Sequence, residues 1–137
     1  MKDEVMRIFI SDLKILPIIE KAYKKTLQEI EEIEYRLQGV YGINPAKVII
    51  HNNTHNDIRL DLILEKNKKE DYAKSLKDRI DRTYYILNVC PDAFRSILID
   101  IYVKKVNTAQ VAESHYMSES TLRRRIIAEL QGVEIGF

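Results

Sequence analysis

The chain has one cysteine, four glycines and three prolines in 137 residues, and no run of apolar residues approaching the length needed to span a bilayer. Each scarcity excludes a class. A lone Cys90 cannot close an internal disulfide or supply a cysteine-rich zinc site, so its natural place is as a small buried residue. Few Gly and Pro leave few breaks between regular elements, so long helices are expected. A bilayer-spanning helix needs about 20 apolar residues, and the opening segment MKDEVMRIFISD carries acids where a secretory signal carries an apolar run, which predicts a cytoplasmic protein with no membrane partner. Also missing are a Gly-rich phosphate loop, a nucleophile elbow and any Ser/His/Asp arrangement. The expectation is therefore a protein that is not an enzyme and needs no cofactor.

What is present is 45% apolar and 31% charged residues with a net charge of +1, the composition of one ordinary domain or of a small domain joined to a helical extension. From Leu16 to Val40, apolar residues recur in alternating steps of three and four: Leu16, Ile19, Tyr23, Thr26, Ile30, Ile33, Leu37, Val40. That spacing draws one stripe along an α-helix, with Lys24, Lys25, Glu29, Glu31, Glu32 and Glu34 on the wet side. Thr26 is the polar exception, and Leu27 beside it can substitute. Pro17 suits the first turn, where a missing N–H costs nothing, and Gly39 with Gly42 supplies a stop. Residues 39–57 are rich in Gly, Asn and Asp and read as a loop. A second seam, Ala73, Leu76, Ile80, Thr83, Leu87, Cys90, lies on a helix expected from about Ile58. The alternation Ile58, Leu60, Leu62, Leu64 also fits a short strand, but helix is the reading kept.

Two long helices with matching seams predict an antiparallel hairpin over residues 1–90, packed mainly on itself. The same seams serve a hairpin within one chain or a homodimer between two. His51 and His55, with Asp57 nearby, lack the further ligands of a metal motif and read as a polar loop.

Pro91 ends the long helix and can open the next, with apolar positions Phe94, Ile97, Leu98, Ile101 and Tyr102. Residues 108–131, TAQVAESHYMSESTLRRRIIAELQ, follow. Asn107 and Thr108 offer a cap for a short helix, in which Val111 faces the core and Ala112 is small enough for a second helix to cross. Ser118 can cap that second helix, with Glu119 favourable in its first turn and Leu122, Ile126 and Leu130 on its buried face. This is the spacing of a helix-turn-helix, whose second helix enters the major groove of double-stranded DNA. Glu119, Ser120, Arg123 and Arg124 form the expected groove-facing set, and Lys105, Ser118 and Thr121 the expected phosphate contacts. The turn often uses a Gly at positive φ, where this chain has Tyr116, and Arg125 stands where an apolar residue is common. Residues 104–131 carry five basic side chains against three acids, so charge alone does not make the argument.

The overall expectation is an all-α protein, with a long N-terminal antiparallel helical hairpin and a helix-turn-helix module over residues 91–137. The segment PDAFRSILIDIYV followed by TAQVAESHYMSESTLRRRI resembles region four of the sigma-70-like factors, and the chain as a whole resembles the ArpU/RinA-type late-gene regulators of phages of Gram-positive bacteria. The resemblance implies a phage or prophage transcription regulator that contacts promoter DNA through Ser118, Glu119, Ser120, Arg123 and Arg124. The hairpin's inward seam and mixed surface charge do not suit promoter melting, so such a protein would position or activate host RNA polymerase. The competing class is a helical protein–protein interaction module that does not touch DNA.

Overall fold

The structure, a computed structural model, describes residues 1–41 and 52–135. Every regular element among them is helical: α1 (Asp3–Lys14), α2 (Leu16–Tyr41), α3 (Asn52–Val89), α4 (Asp92–Leu98), a π-helical turn (Ile99–Val103), α5 (Thr108–Ser114) and α6 (Glu119–Gln131). The chain is all-α, with a long helix pair in its N-terminal part. None of the described helices is long and apolar enough to cross a membrane.

Of the residues 39–57 expected as a loop, 39–41 and 52–57 are helical, and 42–51 lie outside the described residues. Helix α2 runs through Gly39 to Tyr41, and α3 already begins at Asn52. A Cβ at Gly39 would meet nothing within 4 Å and its φ is negative, so this glycine is an ordinary, if weak, helical residue and no stop. Asn52 to Asp57 favour turns as single residues, but a helix already under way adds one hydrogen bond for each residue it fixes, which outweighs a few weak propensities. His51 lies outside the described residues, and His55 falls near the start of α3. No group of three or more metal-ligating side chains occurs among the described residues. The segment 58–64 is helical, without a strand.

Contacts divide the chain into two compact units, Met1–Ile19 with Arg79–Phe137, and Glu20–Asp78. Inside the second unit, Thr26, Ile30, Ile33, Leu62, Ala73 and Leu76 are buried. The seam of α3 thus extends towards its N-terminus as Leu62, Lys66, Lys69, Ala73, still in steps of four and three. Lys66 and Lys69 hold their seam positions by pairing with α2: Lys66 with Glu34 at 3.3 Å, and Lys69 with Glu29. The later acid on α2 meets the earlier lysine on α3, which fixes the two helices antiparallel. Thr26, not Leu27, occupies the seam. Its hydroxyl donates to the Ala22 carbonyl at 2.8 Å, so it can be buried at 5% exposure while Leu27 remains 42% exposed.

The first unit holds an apolar core, in which Phe9, Leu13 and Leu16 pack with Ile86, Leu87, Cys90, Phe94 and Leu98, and with Val111, Ala112, Leu122, Ile126 and Leu130. Each large side chain buried in it contributes about 1.5–3 kcal/mol. Helix α1 is the unanticipated element. Asp3 and Glu4 in its first turn and Lys14 in its last suit the helix dipole. Pro17 cannot donate to the Leu13 carbonyl, and the chain breaks there, between α1 and α2. Asp12 is buried, and Arg79 holds its carboxylate at 2.8 Å. At the end of α3, Arg95 donates to the carbonyls of Leu87, Asn88 and Cys90, satisfying acceptors that a helix C-terminus leaves open.

Candidate nucleic-acid interface

Two non-glycine residues with left-handed backbone bracket α5, and both have a local cause. The π-helical turn closes with Lys104 N–H on the Ile99 carbonyl and Val106 N–H on the Asp100 carbonyl, which turns Lys105 to φ 59. After α5, Tyr116 N–H donates to the Glu113 carbonyl and Met117 N–H to the Ala112 carbonyl. This is the Schellman pattern, and it places Tyr116 at φ 58 where glycine usually stands. Tyr116 is 98% exposed, so no packing offsets the strain of roughly 1–2 kcal/mol. Met117, the next residue, turns inward against the core.

Asn107 caps α5, its side-chain oxygen accepting from Ala109 N–H at 2.9 Å, and Thr108 is the first helical residue. Ser118 caps α6 by accepting from Thr121 N–H at 3.2 Å, and its hydroxyl lies 2.7 Å from that of Thr121. Ala112 is buried at 2% exposure in the helix that contacts α6. On α6, Leu122, Ile126 and Leu130 are buried. Positions two residues away fall on the opposite side of a helix, so Ser120, Arg124 and Ala128 point outward, and all three are exposed.

The three consecutive arginines have different surroundings. Arg123 lies on the flank of α6, its Nη2 2.6 Å from Glu119 Oε1 one turn earlier. It is also close enough to the half-buried Tyr102 to offset part of the rise in phenol pKa that burial causes. Arg124 is on the outward face. Arg125, on the other flank, borders a groove of about 240 Å³ floored by Phe94, Ile97, Met117 and Leu122. Neither Arg124 nor Arg125 has a hydrogen-bond or ion-pair partner among the described residues.

Of the residues expected at a DNA surface, Ser118, Glu119, Ser120, Thr121, Arg123 and Arg124 therefore share the first turns of α6. Lys105 is placed differently. Its ammonium donates to the Lys14 carbonyl at 2.7 Å, at the end of α1, where a cation also meets the negative end of the helix dipole. Lys14 in turn lies 5.9 Å from the centre of the Tyr102 ring. The exposed Tyr116 beside Ser118 was not among the expected contacts, although its position four residues after Ala112 marks it as the tip of the turn. Cys90 is buried, and burial pushes its thiol pKa up, away from reactivity. Neither a family model, a curated protein nor a solved structure matches this chain.

Proposed function

We propose that the chain binds double-stranded DNA in a sequence-specific manner, with α5, the turn at His115–Met117 and α6 acting as a helix-turn-helix, and that it works by binding and not by catalysis. The observation that carries this reading is the outward face of α6. Ser120 and the unpaired Arg124 stand on it directly opposite Leu122 and Ile126, at the N-terminal half of a helix capped by Ser118. A reading helix needs that division, apolar behind and hydrogen-bonding in front. Arg124 is the base reader, since an unpaired guanidinium can make two hydrogen bonds to guanine O6 and N7. Ser118 and Thr121 serve phosphate, whereas Lys105 docks α1. A role at phage or prophage promoters, through host RNA polymerase, rests on the resemblance to sigma-70 region four and to ArpU/RinA-type regulators.

The test is selection from a random duplex pool, followed by fluorescence anisotropy on the recovered and a scrambled duplex at several salt concentrations. Arg124→Ala is expected to weaken specific binding by roughly 1–3 kcal/mol and to relax preference at one base pair. A folded protein that shows no salt-dependent binding to any duplex would refute the reading. The groove bordered by Arg125 favours a second one, a helical interaction module that takes an apolar partner segment, and that outcome would leave it standing.

A further inference from the structure

A carboxylate on a helix that meets phosphates costs affinity, because like charges repel. Glu119 stands in the first turn of α6, with Oε1 2.6 Å from Arg123 Nη2, in a pair whose side chains are 42% and 66% exposed. Stability gives only a small reason for it, through the helix dipole at this exposed first turn. Exposed ion pairs at this spacing add little to a helix, and Ser118 already caps this one. The pair has two other effects. It cancels the charge of Arg123, so the arginine run offers DNA two uncompensated cations and not three. It also holds the guanidinium in one place while the carboxylate keeps further lone pairs free, since a carboxylate has about four acceptor sites.

We propose that Glu119 is a specificity-determining residue, its carboxylate accepting from a cytosine amino group while it restrains Arg123 from binding backbone phosphate indiscriminately. The proposal rests on the reading of α6 as the DNA-reading helix. Cytosine is the base that fits. Its own major-groove edge carries the N4 amino donor and no acceptor, the nearest being O6 of the paired guanine, whereas adenine sets the N7 acceptor beside its N6 donor on the same base and would repel an acceptor-only group. The other N–H groups of Arg123, held beside the carboxylate, are then available to the guanine of the same pair.

The experiment uses the full chain and compares wild type with E119A, E119Q and the double variant E119A/R123A. Anisotropy is read on the selected duplex, on a scrambled duplex, and on duplexes with each C·G pair of the site replaced in turn, over a salt series. E119A is expected to bind the scrambled duplex more tightly and to lose about tenfold discrimination at one C·G pair. Its salt dependence should steepen by about 0.9 in the log–log slope, one phosphate gained by the released Arg123. E119Q, which keeps the shape and loses the charge, should steepen the slope likewise. In E119A/R123A the slope should return to that of wild type while the lost discrimination stays lost, a reversal that a merely structural role for Glu119 does not produce. If wild type binds selectively but E119A keeps its discrimination and slope, or weakens on all duplexes alike, the role of Glu119 is overturned and the DNA reading stands. If wild type shows no salt-dependent binding, both fall together.

Discussion

Replacing Tyr116 with glycine should stabilise the protein, although it removes the largest side chain of the turn. At φ 58 an L-residue brings its Cβ close to its neighbouring carbonyl, at a cost of about 1–2 kcal/mol. The ring is 98% exposed, so deleting it gives up almost no buried apolar surface. Against the relief stands the unfolded chain, which gains freedom at a glycine and so favours unfolding by about 0.4–1 kcal/mol. The net expectation is a gain of about 0.5–1 kcal/mol, or a rise in Tm of about 2–5 °C for a chain of this size. Tyr116→Ala isolates the cause. Alanine keeps the Cβ and its strain while losing the same ring, so it should stay close to wild type and below glycine by about 0.5–1 kcal/mol. Lys105→Gly gives a contrast at φ 59. There the relief is offset by the loss of the ammonium bond to the Lys14 carbonyl, and little net gain is expected. Thermal unfolding followed by circular dichroism measures all three. Should Tyr116→Gly melt no higher than Tyr116→Ala, the left-handed strain at the turn is not what limits its stability, and the reasoning fails.

The remaining predictions concern the core and the helix pair. Leu122→Ala should destabilise by about 2–5 kcal/mol in urea unfolding, because Leu122 is 1% exposed and leaves a cavity behind; under the proposed DNA-binding function, duplex binding should then fall only as far as the folded fraction does. Arg79→Ala leaves the buried Asp12 carboxylate without its ion-pair partner and should cost about 2–3 kcal/mol, reduced from the fully buried case because Arg79 itself is partly exposed; Asp12→Asn in the same background should recover part of the loss by removing the charge. Lys69 holds the Glu29 carboxyl below its ordinary range, and Glu29 holds the Lys69 ammonium above its own. A lowered acid contributes stability above its unfolded pKa that is lost as pH falls through the folded value, and a raised base contributes stability that is lost as pH rises through its folded value. The pair therefore supports the helices best between the two, and Glu29→Gln should flatten the acid limb of a plot of Tm against pH; an unchanged acid limb would count against it.

Periodicity alone was enough for the two long helices, because burying one face of a helix requires the three-four spacing whatever surrounds it. Leu16, Ile19, Ile30 and Ile33 on α2, Ala73, Leu76 and Leu87 on α3, and Cys90 just past its end are all buried as that spacing demands. The caps were equally local, since Ser118 bonds a backbone group only three residues away. Helix α1 lies outside the expected hairpin although its signal is local: Phe9 and Leu13 continue the α2 stripe backwards in the same steps, across the break at Ile15. The charged seam was hidden because Lys66 and Lys69 look like solvent residues until Glu34 and Glu29 stand opposite them, and those acids are some 30 to 40 residues away in the chain.

What the sequence by itself determined was the all-helical class, the apolar faces and the grouping of Ser118, Ser120 and the three arginines at one helix start, because all of these follow from interactions within a few residues. Only the tertiary structure decided that α1 belongs to the core built by α3 to α6, that the ammonium of Lys105 goes to the end of α1, and that Arg123, Arg124 and Arg125 face three different surroundings. Successive residues on a helix point about 100° apart. Which of those directions meets solvent, an acid or a groove depends on elements that no local pattern in the arginine run encodes.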